Sequence, residues 1–180
     1  MYGFFLVQRV QEKQTGQQPI WKDLLDLLIK ILFIFFCIYL IFTFIYGVER
    51  TTDVSMKPAI RDGDLVLYYR LDKYLVSGDV VVFKENDRVI TARVVAVAGD
   101  TVDITKDGLT INGAVQVSKD IYFDTTQFKN GVDFPIQVKE NQVFVLGDNR
   151  PSALDSRTFG CVNIDDIQGK VIAVIRTRGI

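Results

Sequence analysis

The chain has 180 residues, with 21 Lys+Arg against 22 Asp+Glu and no histidine. That length holds one modest domain plus an anchor, and the balanced charge offers nucleic acid no bulk attraction. Without histidine the commonest general base and the commonest metal ligand are both missing, so any catalysis must run on Lys, Asp, Glu, Ser, Tyr or Cys.

The first element is apolar. Residues 31–48 (ILFIFFCIYLIFTFIYGV) carry no charge, and as a helix they span about 27 Å, close to the hydrocarbon thickness of a bilayer. Leu27, Leu28 and Ile29 extend the run, Lys30 can snorkel to the interface, Pro19 sits where a helix can start, and Trp21 and Tyr46 suit the interfaces. A buried globular helix is rarely so uniformly apolar. A cleaved signal peptide has a shorter core and a small-residue cleavage site, whereas Gly47-Val48-Glu49-Arg50 has no A-x-A pattern. The expected layout is a cytoplasmic juxtamembrane segment over 1–30, a transmembrane helix over 31–48 and an exported domain over 49–180. The charge bias behind that orientation is slight: Arg9, Lys13, Lys22 and Lys30 before the run, Arg50, Lys57 and Arg61 after it.

Beyond the anchor the pattern is β. Runs at 65–69, 80–83, 89–91 and 94–97 are β-branched or aromatic and bounded by Gly-Asp pairs. Val102 and Ile104 alternate with polar residues up to Asp107-Gly108, and residues 109–111 lead to Asn112-Gly113; both dipeptides are hairpin turns. Residues 118–140 are more polar and read as an insertion or loop-rich hairpin. Residues 143–146 and 171–175 read as buried strands. Cys37 lies in the apolar run and Cys161 far outside it, which argues against a disulfide framework and against a Cys-based metal site. No cofactor or metal is expected.

Three constellations carry chemistry: Ser55-Met56-Lys57-Pro58; the run from Arg93 to Gly99-Asp100; and Gly147-Asp148-Asn149-Arg150 followed by Asp155-Ser156-Arg157. A lone S-M-x-P recurs by chance, but G-D-N-R followed by D-S-R is specific. In this order, behind one apolar helix, the three resemble the type I signal peptidases, the S26-type Ser/Lys proteases. That resemblance implies a mainly β domain of coiled antiparallel sheets. It also implies a serine nucleophile activated by a lysine amine kept neutral in an apolar pocket. A backbone N–H at the nucleophile would stabilise the oxyanion, and the substrate would lie as an added strand.

Carried over by position, Ser55 matches the nucleophile. The lysine base falls on Ala92, and the serine that orients it falls on Ala153. The glycine or serine beside the oxyanion hole falls on Asp53. The threonine after S-M-x-P is Ala59, and the proline before the second Gly-Asp is Ala98. Met56, Pro58, Gly147, Asp148, Asn149 and Arg150 match, and Asp155 with Arg157 matches the family's ion pair. The groove wall implied by the resemblance includes Val54, Met56, Ile90 and Thr91. Scaffold residues are kept while those that touch the proton and the oxyanion are replaced. Lys57, two residues along from Ser55, and Lys84, on a neighbouring strand, are the candidate substitute bases.

The reading is a membrane-anchored, signal-peptidase-like protein without the usual Ser/Lys protease activity. It resembles the SipA-type proteins of Gram-positive pilus clusters, which implies an exported pilin segment bound in extended form, alongside the lipid bilayer, as the partner. Two alternatives stand beside it: an active signal peptidase using Ser55 with a non-standard base, and a tethering membrane protein with an occluded groove.

Overall fold

The computed structural model describes residues 20–116 and 124–176. Pro19, Arg9, Lys13 and residues 118–123 of the polar stretch lie outside the described residues. The chain divides into a unit ending at Tyr39 and a unit beginning at Leu40.

The described part of the first unit is helical. Helix α1 spans Ile20–Leu40 and passes into a π turn over Ile41–Ile45. The run Ile20–Ile45 is 26 residues long, its most apolar 18-residue window has a mean hydropathy of 2.7 and none of that window is buried in protein, so it is long and apolar enough to cross a bilayer. The described helix already includes Ile20, ahead of the uncharged run, and within it Asp26 and Lys30 lie one turn apart and pair at 2.7 Å. Trp21 is 79% exposed.

The helical path ends at Ile45, inside the apolar run. Tyr46, Gly47 and Val48 instead open strand β1 (Tyr46–Arg50), which pairs antiparallel with β2 (Leu65–Tyr69). Gly47 makes this possible. A Cβ there would lie 2.2 Å from the Tyr68 ring, so only glycine lets the strand cross that ring. Tyr46 stacks on Tyr69, with ring centroids 5.4 Å apart.

The remaining strands are β3 (Val80–Glu85), β4 (Arg88–Val97), β5 (Thr101–Thr105), β6 (Gly108–Ile111), β7 (Ala114–Val115), β8 (Ile136–Gln137), β9 (Gln142–Leu146), β10 (Val162–Asn163) and β11 (Ile167–Ile175). They form two antiparallel sheets: seven strands in the order β1-β2-β11-β3-β4-β9-β10, and four in the order β7-β6-β5-β8. The fold is therefore mainly β, as expected. Asn112 and Gly113 take positive φ (53° and 79°) in the β6–β7 hairpin. Asn86 and Asp87 do the same (47° and 62°) between β3 and β4, a turn that the sequence reading passes over. Strand β11 is less buried than its composition suggests: Ile172 and Ile175 are more than half exposed.

Three apolar clusters hold the domain. One runs through the large sheet with Phe83, Ala92, Val94, Val145 and Ile167. One ties β4 and β9 to the small sheet through Val95, Val102, Leu109, Phe144 and Leu146. The third (Met56, Ile60, Val66, Tyr68 and Val82) lies under the loop between β1 and β2. That loop carries Ser55.

Candidate active site

The Ser55 loop is fixed from below and from the side. Met56 is fully buried and Ile60 nearly so, which roots the loop in the third cluster. The loop closes on itself where Thr51 N donates to Asp64 O (2.9 Å) and Gly63 N to Thr51 O (2.8 Å). From the side, Asn149 N donates to Ser55 O (2.8 Å) and Asn149 Nδ2 to Val54 O (3.0 Å), so the third motif grips the first. Gly147 allows that approach: a Cβ on it would stand 2.3 Å from Ala153 Cβ and 2.7 Å from Ser55 O. Gly147→Ala is therefore expected to destabilise the domain by about 1–3 kcal/mol through overpacking, read as a lowered thermal midpoint by circular dichroism.

Behind this grip lies a buried ionic network. Asp155 is 0% and Arg157 1% exposed. The Arg157 guanidinium donates to both Asp155 oxygens (2.9 and 2.8 Å) and to Arg150 O (2.6 Å), and it covers the Phe128 ring at 4.3 Å. Asp155 also caps the short helix α2 (Ser156–Phe159) by accepting from Arg157 N, and it takes the Gly147 N–H at 3.1 Å. Arg93 forks onto Asp148 at 2.8 and 2.6 Å, tying β4 to the third motif.

Ser55 itself is 4% exposed. Its hydroxyl donates to Asp53 Oδ1 at 2.7 Å, and its backbone N–H donates to the same oxygen at 3.1 Å. One carboxylate oxygen thus takes both the proton of the nucleophile and the amide that an oxyanion would need. Neither lysine raised as a substitute base is bonded to Ser55. Lys57 is exposed, and Lys84 pairs with Asp87 at 2.9 Å in the β3–β4 hairpin.

A cleft of about 400 Å³ opens over Ser55, lined by Asp53, Ser55, Val89, Ile90, Ser152 and Leu154, with Glu49, Thr52 and Arg88 completing it. Of the expected site residues, Asp53, Ser55 and Ile90 meet here. Val54 is 36% exposed but off this lining. Met56 and Thr91 are buried and do not line it. Ala92 is 1% exposed on β4 and packs with Val81, Phe83 and Val145; Ala153 is 5% exposed beside Gly147. Pro58 lies in the exposed part of the Ser55 loop. Glu49, Arg88, Val89, Ser152 and Leu154 were not picked out by sequence. Ser152 was the legible one, a hydroxyl directly beside the position where a serine was sought.

The sequence model described as signal peptidase, peptidase S26, matches residues 24–176. The chain belongs to the signal peptidase family. Signal peptidase IB of Staphylococcus aureus strain Mu50 is 32% identical over 171 residues, covering 83% of this chain and 88% of that protein. Signal peptidase I P of Bacillus subtilis subsp. natto is 28% identical over 160 residues, covering 82% and 86%. Among solved structures, a signal peptidase I from Enterococcus faecalis V583 aligns with a TM-score of 0.46 at 28% identity, over 56% of this chain and 97% of that one. The chain is thus a signal peptidase I-like protein with one N-terminal apolar helix.

Proposed function

We propose that this member of the signal peptidase family is a membrane-anchored binding factor that holds an exported segment in extended form instead of cutting it. The observation that carries the reading is the double use of Asp53 Oδ1, which occupies both the hydroxyl and the amide of Ser55. Negative charge sits where a hydrolytic transition state has to develop its own. Alanines stand at 92 and 153, where the family resemblance puts the base and its orienting hydroxyl.

Binding, unlike chemistry, needs only an open edge and a cleft. Strand β9 pairs with β4 only from Arg93 to Val97, and among the described residues no strand continues along β4 on that side over 88–92. Val89 and Ile90 of that same stretch line the Ser55 cleft. An incoming strand laid there would pass over Ser55. The apolar helix supports anchorage in the membrane, and the slight charge bias together with the family resemblance favours a β domain outside. A pilin segment is the partner that resemblance to the SipA-type proteins points to.

The second reading, an active protease, has one observation in its favour: Asp53 Oδ1 lies within proton-transfer distance of Ser55 Oγ. A carboxylate is a weak base for a serine hydroxyl, because its ordinary pKa near 4 lies far below that of the group it must deprotonate. One experiment separates the two readings. Ser55→Ala should leave partner function, such as pilus assembly, intact. Val89→Trp, at a position 38% exposed on the cleft wall, should abolish it with folding checked by circular dichroism. Loss of function in Ser55→Ala at normal expression would establish chemistry instead.

A further inference from the structure

A second cavity, of about 460 Å³, sits beside β4 and the small sheet and, among the described residues, shares none with the Ser55 cleft. Its wall includes Arg150, which is 3% exposed. Around Arg150 lie the guanidiniums of Arg93 and Arg157 and the carboxylates of Asp148 and Asp155. Arg93 is forked onto Asp148 and Arg157 onto Asp155. Among the described residues the acceptors of Arg150 are neutral: Nε donates to Gly147 O at 2.9 Å, and Nη1 to Thr125 Oγ1. A buried guanidinium without a carboxylate is costly unless an anion reaches it.

Nη2 of Arg150 has no acceptor among the described residues. The only sealed side-chain polar atom without a partner among them is Thr51 Oγ1, so Nη2 is not sealed in the interior. Arg150 and Thr125 both line the cavity. Burial first, then the Arg157 charge, push the Arg150 guanidinium down to about 10, against the pull of Asp155 and Asp148.

We propose that this cavity is a binding site for a small carboxylate carrying an apolar group, seated on the Nη1–Nη2 edge of Arg150. A planar carboxylate matches the edge of one guanidinium. The exposed carboxylates of Asp107 and Asp124 on the lining disfavour a dianion such as phosphate. Val95, Leu109, Ile111 and Val115 supply an apolar wall for the rest of the ligand.

The test is calorimetric titration of the full chain in detergent micelles with sodium benzoate, inorganic phosphate and acetate. Wild type is compared with Arg150→Gln and Val115→Trp. Val115 is 49% exposed, so tryptophan there fills the cavity without touching the buried network and keeps the test open if Arg150→Gln fails to fold. Saturable benzoate binding in the millimolar range or tighter is expected, weakened by about tenfold or more in each folded variant, with phosphate and acetate weaker than benzoate. Partition into micelles gives the same signal in every protein, so equal benzoate binding in wild type and Val115→Trp overturns the proposal. So does the absence of saturable binding at about 20 mM, or phosphate binding as tightly as benzoate.

Discussion

Asp155→Ala should destabilise the β domain by about 3–5 kcal/mol, which is a large share of the stability of a domain this size. The substitution leaves Arg157, 1% exposed, with its charge intact and its carboxylate gone. The remaining acceptors, Arg150 O and Thr126 O, are neutral. The same change removes the N-cap of α2 and the acceptor of Gly147 N–H, which together position the grip on the Ser55 loop. Urea unfolding of the full chain should be followed by the β signal in circular dichroism, because Trp21, the one tryptophan, lies in α1 and does not report on this domain. A loss below about 1 kcal/mol would mean that the guanidinium finds water or another anion.

Rebuilding the proteolytic site should produce the second large effect. The combination Ala92→Lys, Ala153→Ser and Asp53→Gly is expected to raise cleavage of a pre-protein with an A-x-A site by at least about a hundredfold over the parent chain. A positioned base and a freed oxyanion donor are each worth that much or more. Ala92→Lys alone should restore little. If the new amine reaches Ser55 it also meets Asp53, whose carboxylate favours the charged ammonium, the wrong form for a base. Asp53 would also still hold the hydroxyl and the amide of Ser55. The dry setting of position 92, among Val81, Phe83 and Val145, is the kind that keeps a lysine neutral. The rate of product formation by the single, double and triple variants decides it. Full turnover from the single change would show that Asp53 is no obstacle.

Much of this molecule is written locally. The apolar helix, the strands begun by the runs at 65–69, 80–83 and 143–146, and the Asn112-Gly113 turn follow from period, β-branching and the backbone freedom of a few residues. The three motifs that mark the family are contiguous strings, so they too are visible without a structure. The helix boundary was less so: apolar composition continues through Tyr46 and Val48, and only pairing with β2 across the Tyr68 ring draws those residues into β1.

By itself the sequence determined which side chains are present at each motif position, including the alanines at 92 and 153 and the aspartate at 53. What they touch was decided by tertiary structure. The closed 51–64 loop turns Asp53 back onto the amide and hydroxyl of Ser55. Placement in the sheets buries Met56 and Thr91 and leaves Val89, Ser152 and Leu154 to line the cleft. The pairing of Arg93 with Asp148 and of Arg157 with Asp155 leaves Arg150 without a carboxylate among the described residues. The physical reason is the same each time: a hydrogen bond or an ion pair depends on distance and direction in space, and these residues are brought together by strands and loops far apart in the chain.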